Sequence, residues 1–329
     1  MTHNDTGGRS MHDSTTATPR TPAPLVLAVL VTLAVVLALP AAAGAARIAF
    51  VKSMTQSSPP HVWTIQPDGA GLKRLTSGAF YEFGPAWSPG RGTIAFIRSR
   101  TWSPFDRQSW VMLMRSGGAN QRRLGYTGPS LATGTHVLAY SPNGRHLAGG
   151  TVLKPAGGSW GQLWGITLLN LRTHRSRIIY RYPSENGLVA LTWSPDGSQL
   201  VATVEYGGGY GMFRLAVPSG KLLKSYRLNA SSASWHPRAR RLLCSTWVPA
   251  APGAPFRTQL RRLDGTLIAT LGQDQLHPVY SPDGAEYAFL ASNADGTAWS
   301  LRRADGAGND VRTIYAPAAG QSLGWPAWR

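Results

Sequence analysis

The sequence of 329 residues contains one cysteine, Cys244, and this scarcity limits how the fold can be held together. A single cysteine excludes an intramolecular disulfide bond, so core packing must stabilise the protein. No cysteine follows the apolar run near the N-terminus, which excludes a lipoprotein anchor. Because Cys244 lies in the apolar segment 241–244, we expect a buried and unreactive thiol.

Long stretches of helical periodicity are also missing from the sequence. Glycine (37 residues) and proline (24 residues) are abundant instead. Both residues interrupt regular helices and favour turns, so this composition predicts an all-β protein built from short strands. The length is sufficient for one large domain of this kind.

Acidic residues are few, since 15 Asp and Glu stand against 33 Lys and Arg and give a net charge of +18. An exported protein with this charge can meet anionic lipid headgroups, anionic wall polymers or acidic protein surfaces. Only five of the basic residues are lysines, and such an arginine bias is also typical of a G+C-rich genome. The charge alone therefore identifies no ligand. No nucleic-acid-binding motif is present, and we predict no nucleic-acid partner.

The N-terminal region reads as a targeting segment. Residues 1–24 are polar and predict a disordered leader, and residues 25–45 are apolar and uncharged. Small residues at the −3 and −1 positions fit cleavage after Ala43 or Ala45, as in a signal peptide. A transmembrane anchor is the alternative, because about 20 apolar residues can span a bilayer. We expect export to the periplasm, the cell envelope or the extracellular space, with membrane contact only through residues 25–45 if they remain uncleaved.

One motif, Trp193-Ser194-Pro195-Asp196-Gly197, recurs along the rest of the chain. Its aromatic residue returns at positions 87, 140, 193, 235, 280 and 328. Proline fixes φ in the turn, Asp or Asn bonds the local backbone, and glycine supplies a positive φ at the exit. An apolar strand follows most copies, so the motif predicts a strand–turn–strand corner that builds the fold and performs no chemistry.

Repeats of 42 to 53 residues that hold several short strands are typical of β-propeller blades. Each repeat predicts four strands, which we letter A to D from the inside outwards. The segment after the leader begins with a strand B at 47–51, and the chain ends on a strand A at 324–329. Residues 46–329 therefore predict a six-bladed propeller whose ring is closed by three N-terminal strands and one C-terminal strand.

The repeat resembles that of TolB-type β-propellers and is WD40-like. Lys73-Arg74-Leu75-Thr76 and Trp193–Gly197 carry the resemblance, which covers about residues 46–329. Gram-negative TolB proteins have a small α/β domain before the propeller, and this sequence has no counterpart of it or of the adjoining partner-binding segment. The resemblance thus implies the fold and not the Tol–Pal partnership. Because the repeat also occurs in peptidases and a pectin-degrading lyase family, the fold fixes no function.

The predicted topology places long loops on one face of the ring. The A–B and C–D turns share the short, regular face, and the B–C and D–A loops share the other, which we call the long-loop face. Its loops contain Trp102, Phe105, Trp160 and Trp247. Exposed aromatic side chains on a rigid scaffold are frequent interface anchors. The alternative is that they fold back as caps over the blades.

The mouth of the central channel on this face is the second candidate region. Residues just before each strand A should line it, including Tyr81, Glu82, Asp274 and His277. Acidic, amide and imidazole groups at one mouth could hold a cation or a sugar, and an ordinary hydrated channel is the alternative. We predict no cofactor and no metal.

Two G-x-S-x-G matches, at 157–161 and 320–324, lack the strand–turn–helix setting that the nucleophile of this motif requires. The sequence therefore predicts a non-catalytic, monomeric binding scaffold whose partner is an envelope or extracellular protein or an anionic wall polymer. The alternatives are a polysaccharide lyase-like or hydrolase-like enzyme with a site at the channel mouth, and a membrane-tethered sensor domain.

Overall fold

The computed structural model describes residues 46–55, 57–102, 108–133, 135–154, 162–184, 187–206, 208–248, 256–292 and 298–329. The predicted leader (1–24) and apolar segment (25–45) lie outside the described residues, as do Phe105 and Trp160. Across the described ranges, no helix has the length and apolar character needed to cross a membrane.

The described residues form twenty-four strands and no helix. In chain order the strands are β1 (Ile48–Ser53), β2 (His61–Ile65), β3 (Lys73–Arg74), β4 (Tyr81–Trp87), β5 (Thr93–Ser99), β6 (Ser109–Arg115), β7 (Arg122–Arg123), β8 (Ala139–Tyr140), β9 (His146–Lys154), β10 (Gln162–Asn170), β11 (Arg175–Ser184), β12 (Gly187–Trp193), β13 (Gln199–Tyr206), β14 (Gly209–Ala216), β15 (Leu222–Tyr226), β16 (Ala230–Trp235), β17 (Arg241–Trp247), β18 (Phe256–Arg262), β19 (Leu267–Gln273), β20 (Gln275–Tyr280), β21 (Glu286–Ser292), β22 (Trp299–Asp305), β23 (Arg312–Tyr315) and β24 (Ser322–Trp328).

These strands form six antiparallel sheets of four strands each, which confirms the predicted all-β, six-bladed propeller. Blade 1 has the order β24-β1-β2-β3, and blades 2 to 6 take the remaining strands four at a time in chain order. In blade 1, β24 pairs with β1 in a register that places Ile48 opposite Trp328 and Ser53 opposite Ser322. Beyond this register, Arg47 and Arg329 exchange backbone hydrogen bonds of 2.6 and 2.9 Å.

The recurring motif forms the corner between strands A and B through its own side chains. In blade 4, the Ser194 hydroxyl donates to Asp196 Oδ1 at 2.5 Å and accepts from the backbone N–H of Gln199 at 2.9 Å. Asp196 also accepts from the N–H of Ser198 at 3.0 Å, and these bonds hold the pKa of its carboxyl below the usual value. The motif is structural, as the sequence predicts.

The core lies between neighbouring blades, where the aromatic residue of each corner packs. Trp87 donates its indole N–H to the carbonyl of Ala327 in blade 1 at 3.2 Å, and Trp193 donates to Ala139 in blade 3 at 3.1 Å. Cys244 is completely buried in blade 5, and burial raises the pKa of its thiol to about 12. The buried cysteine agrees with the expectation from its apolar surroundings.

A bulge in strand A shapes the channel in three blades. In blade 2, Phe83 pairs with Ile97 and Ala86 with Ala95, so two residues of β4 face one residue of β5. The first residue of this bulge has a positive φ and precedes a proline: Gly84 (51°), and at the equivalent positions His277 (50°) and Trp325 (47°). This conformation places the side chains of His277 and Trp325 along the channel wall.

Candidate functional site

The innermost strands of all six blades enclose a central channel of about 200 Å³. Its wall consists mainly of backbone, proline and small apolar side chains. The polar side chains among the described residues that line it are Tyr140, Thr192, Ser232, Ser234, His277 and Arg329, together with the indoles of three tryptophans. No described carboxylate side chain lies on this wall, so the channel has little capacity to neutralise a cation.

Aromatic rings from three blades meet where the channel opens towards the long-loop face. We call Tyr81, Phe83, Trp102, His136 and Trp325 the aromatic cluster. Phe83 is central: its ring centroid lies 4.2 Å from that of His136, 5.3 Å from that of Trp102 and 5.7 Å from that of Trp325. Tyr81 lies 6.2 Å from Trp102 in an edge-to-face arrangement. Such edge-to-face and offset contacts are the favoured geometries of aromatic rings.

The elements around the cluster explain how its members come together. Tyr81 and Phe83 alternate along β4, so both side chains lie on the same side of that strand. Trp102 follows the end of β5, which pairs with the beginning of β4. His136 precedes the short strand β8, and Trp325 lies in the bulge of β24.

His136 is the polar member of the cluster. Its ring stacks on Phe83 with an interplanar angle of 26°, and its Nε2 atom is buried without a hydrogen-bond partner among the described residues. Burial lowers the pKa of His136 to about 4, and a hydrogen bond with the backbone of Trp102 opposes this shift. The imidazole is therefore neutral at neutral pH.

His277 continues the aromatic surface into the channel. Its ring centroid lies 6.3 Å from that of Trp325, and its side chain lines the channel wall. Burial by the surrounding blades lowers the pKa of His277 to about 4. Two neutral imidazoles beside indole and phenol rings give a surface suited to an apolar side chain or a neutral ring.

The predicted position of Glu82 at the channel mouth is wrong. Its carboxylate is completely buried between blades 1 and 2. Oε1 accepts from Arg98 Nε at 2.9 Å and from Arg98 Nη2 at 2.5 Å, and Oε2 accepts from the hydroxyl of Thr76 and lies 3.3 Å from His61 Nδ1. Because adjacent strand residues point to opposite sides of a sheet, Tyr81 and Glu82 cannot share one surface.

The remaining predicted residues lie outside the aromatic cluster. Trp247, half-buried at the end of β17, pairs with Phe256, and Asp274 lies in the connection between β19 and β20 with a φ of 53°. Its backbone N–H donates to the carbonyl of Phe256 at 2.8 Å. Phe105 and Trp160 lie outside the described residues. Of the predicted set, the aromatic cluster contains Tyr81 and Trp102. His277 lies next to the cluster through Trp325.

The sequence reasoning missed Phe83, His136 and Trp325. One signal was present, because His277-Pro278 and Trp325-Pro326 occupy the position that Gly84-Pro85 occupies in blade 2. An unusual large residue before that proline marks a side chain held at the channel by the bulge. In the described part of the chain, no group of three or more His, Cys, Asp or Glu side chains is placed to hold a metal ion.

Comparisons with known proteins agree with the fold. No protein-family model and no curated protein matches the sequence. Among solved structures, TolB from Acinetobacter baumannii aligns with a TM-score of 0.65 and 17% identity over 86% of this chain, and this chain spans 66% of that protein's length. A putative TolB from Agrobacterium tumefaciens aligns with a TM-score of 0.59 and 14% identity, over 87% of this chain and 99% of the other.

An oligogalacturonate lyase in complex with manganese also aligns, with a TM-score of 0.54 and 14% identity over 78% of this chain and 71% of the other. At these identities the comparisons establish the fold and leave the function open. The chain has a TolB-like, six-bladed propeller fold.

Proposed function

We propose that this protein is an exported, non-catalytic binding scaffold that engages a protein or another envelope component through its long-loop face. The observation that carries the proposal is the aromatic cluster at the channel mouth. Trp102, at the rim of that cluster, is 51% exposed. An indole held by aromatic neighbours and still half-accessible is a suitable anchor for a partner.

The setting of the cluster favours recognition of an apolar group. Phe83 is completely buried beneath Trp102 and fixes its position. The imidazoles of His136 and His277 are neutral at neutral pH because burial lowers their pKa. A partner that inserts an aliphatic or aromatic side chain would meet rings from three blades without desolvating a charge.

The apolar character of residues 25–45 supports export of the propeller. If that segment is cleaved, the scaffold is released; if it stays, the propeller becomes a membrane-tethered domain with the same binding face. Either form works as a monomer, because the proposed contact uses residues of one chain.

The second candidate function is a polysaccharide lyase. The likeness in fold to a manganese-bound oligogalacturonate lyase favours it, as does the presence of His277 on the channel wall. An anionic sugar would also suit a protein with a net charge of +18. This candidate predicts formation of unsaturated uronide products when the protein is incubated with oligogalacturonate and Mn²⁺.

The test of the scaffold is site-specific photo-crosslinking in the source cells. Benzoylphenylalanine would replace Trp102 in one variant and Ile268, which is 48% exposed on β19, in the control. We expect a discrete crosslinked envelope component from position 102 and none from position 268. Equal products from both positions, or none from position 102, would contradict the proposal, and product formation from oligogalacturonate would favour the lyase.

A further inference from the structure

The charge of the propeller is distributed unevenly among its blades. Residues 108–184 contain nine Lys and Arg and no Asp or Glu, whereas residues 185–329 contain ten of the fifteen acidic residues. The acid-free segment includes β6 to β11, which are the outer half of blade 2 and all of blade 3. Because basic residues are concentrated here without acidic ones, the electrostatic potential over that side of the propeller is strongly positive.

A groove lies at the edge of this region, between blades 3 and 4. It has a volume of about 290 Å³, and its lining includes His146, Asn170, Thr173, Arg175, Arg177 and Pro218. His146 and Asn170 are paired at the ends of β9 and β10, next to the turn that leads into β11. The groove therefore opens at the regular face of the propeller, at the opposite end from the aromatic cluster.

Arg175 and Arg177 are two residues apart on β11, before its bulge, so their side chains lie on the same side of the strand. Both side chains are exposed. Neither forms an ion pair with a carboxylate of the described chain. The Cα atoms of two such residues are about 7 Å apart along the strand. Both guanidinium groups can therefore donate to the oxygens of an anionic group held between them.

The backbone beneath these arginines is held from both sides. Residue Thr127 of the preceding blade donates its N–H to the carbonyl of His174 at 2.9 Å and accepts from the N–H of Ser176 at 2.8 Å. On the other side, Arg177 Nη2 donates to the carbonyl of Pro218 in blade 4 at 2.7 Å. That bond uses one of the five guanidinium N–H donors of Arg177.

The pKa of His146, which lines the groove, reflects the positive charge around it. Burial lowers the pKa of His146, and the charges of Arg177 and Arg145 lower it further. No acidic side chain contributes an opposing effect. The groove thus holds concentrated positive charge that a bound anion would neutralise.

We propose that this groove binds a phosphate group of a linear, phosphate-bearing polymer, with Arg175 and Arg177 as its principal ligands. Arginine suits this role because its planar fork donates two parallel hydrogen bonds to phosphate oxygens. A polymer fits better than a single ion because residues 108–184, which include all of blade 3, contain no Asp or Glu, and Arg172 is exposed in the turn beside the groove. Neighbouring phosphates can therefore continue over blade 3 without repulsion.

The test uses the purified protein and fluorescently labelled long-chain polyphosphate at low salt. The variant Arg175→Gln/Arg177→Gln should weaken binding by at least tenfold. It should also reduce the slope of log K against log salt concentration by about one to two, because two phosphate contacts are lost. The control Arg227→Gln/Arg262→Gln removes the same charge from exposed positions on blades 4 and 5 and should change affinity by less than about twofold.

Equal weakening in the two double variants would overturn the proposal, because net charge would then explain all of the binding. So would an absence of polyphosphate binding by the parent protein, or binding to anionic lipid vesicles in its place. Orthophosphate should compete poorly at equal phosphate concentration, and equal competition would refute recognition of a polymer. If both double variants have the same midpoint temperature of thermal unfolding as the parent protein, the substitutions leave the fold intact.

Discussion

Neighbouring residues of strand β4 lie in opposite kinds of surroundings. On the side facing blade 1, the Glu82 carboxylate is completely buried and bound by Arg98, Thr76 and His61. On the other side, Phe83 packs in the aromatic cluster beside His136, whose Nε2 atom has no hydrogen-bond partner in the described chain. One side is a fully satisfied polar network, and the other is aromatic with an unused polar atom.

This contrast separates a structural site from a candidate binding site. A buried charge persists only where partners compensate for lost hydration, so the Glu82 network has little freedom to accept a ligand. The aromatic cluster has no charge to compensate, and Trp102 leaves part of its ring exposed. A buried acid in a propeller therefore does not by itself mark chemistry, and a partly exposed ring cluster is the better indicator of a binding surface.

Among the single substitutions, removal of the charge on the polar side should have the largest effect. Glu82→Ala leaves Arg98, whose side chain is only 14% exposed, without its charge partner. We expect a loss of about 3–5 kcal/mol in the free energy of unfolding, measured by urea denaturation. The control Glu286→Ala breaks the more exposed pair with Arg303 and should cost less than about 1 kcal/mol. Similar losses in the two variants would show that burial does not distinguish these pairs.

A substitution at Gly84, in the bulge of β4, tests whether close backbone packing positions the aromatic cluster. A Cβ atom added there would lie 2.2 Å from the carbonyl oxygen of His136, and the residue has a φ of 51°. Gly84→Ala should therefore destabilise the fold by about 3 kcal/mol and change the near-UV circular dichroism of the cluster. Gly90→Ala, where no atom lies within 4 Å, is the matched control. An unchanged spectrum for Gly84→Ala would mean that the bulge does not position His136.

Acid should weaken the aromatic side. The pKa of His136 and of His277 in the folded state is about 4, below the ordinary 6.5, so the unfolded state takes up these protons first. Their contribution is complete above pH 6.5 and is lost as the pH falls towards 4, by up to about 3 kcal/mol for each histidine. Urea denaturation between pH 7 and 4.5 measures this loss.

The variant His136→Asn should reduce the dependence of stability on pH over that window. Asp283→Asn should leave it unchanged, because hydrogen bonds from Ser281 and Ala285 lower the pKa of Asp283 below its ordinary 3.8. If His136→Asn retains the parent's pH dependence, the histidine is not buried in its neutral form.

The smallest expected effect is at the rim of the cluster. Because Trp102 is half-exposed, Trp102→Ala should cost about 1 kcal/mol in the free energy of unfolding, measured by urea denaturation. A loss as large as that of Glu82→Ala would indicate that Trp102 is a structural cap, which is the alternative the sequence leaves open for the loop aromatics.

The fold could be predicted from the sequence because its determinants are local. Ser194, Asp196 and Gly197 bond and turn within five residues, and the same chemistry is repeated in other blades. The aromatic cluster depends instead on residues that are remote in sequence, with His136 in an irregular segment and Trp325 in the last strand. Their proximity follows from ring geometry, which spacing along the chain does not encode.

The error at Glu82 had a different cause. Tyr81 and Glu82 both fall just before the predicted strand A, where the sequence places the residues that line the channel mouth. The alternation of side chains along a strand already separates them. What alternation alone could not indicate is the set of partners, since His61 and Thr76 come from blade 1 and Arg98 from β5.

The single thiol, Cys244 in blade 5, can report on local opening of the fold. Cys244 is fully buried and its pKa is raised to about 12, so reagents that need an accessible thiolate cannot attack it in the closed blade. Since the sequence has no second cysteine, alkylation of the protein occurs only when β17 opens and exposes Cys244. The rate of labelling, followed by mass spectrometry, thus measures how often blade 5 opens locally. The measurement needs no engineered cysteine.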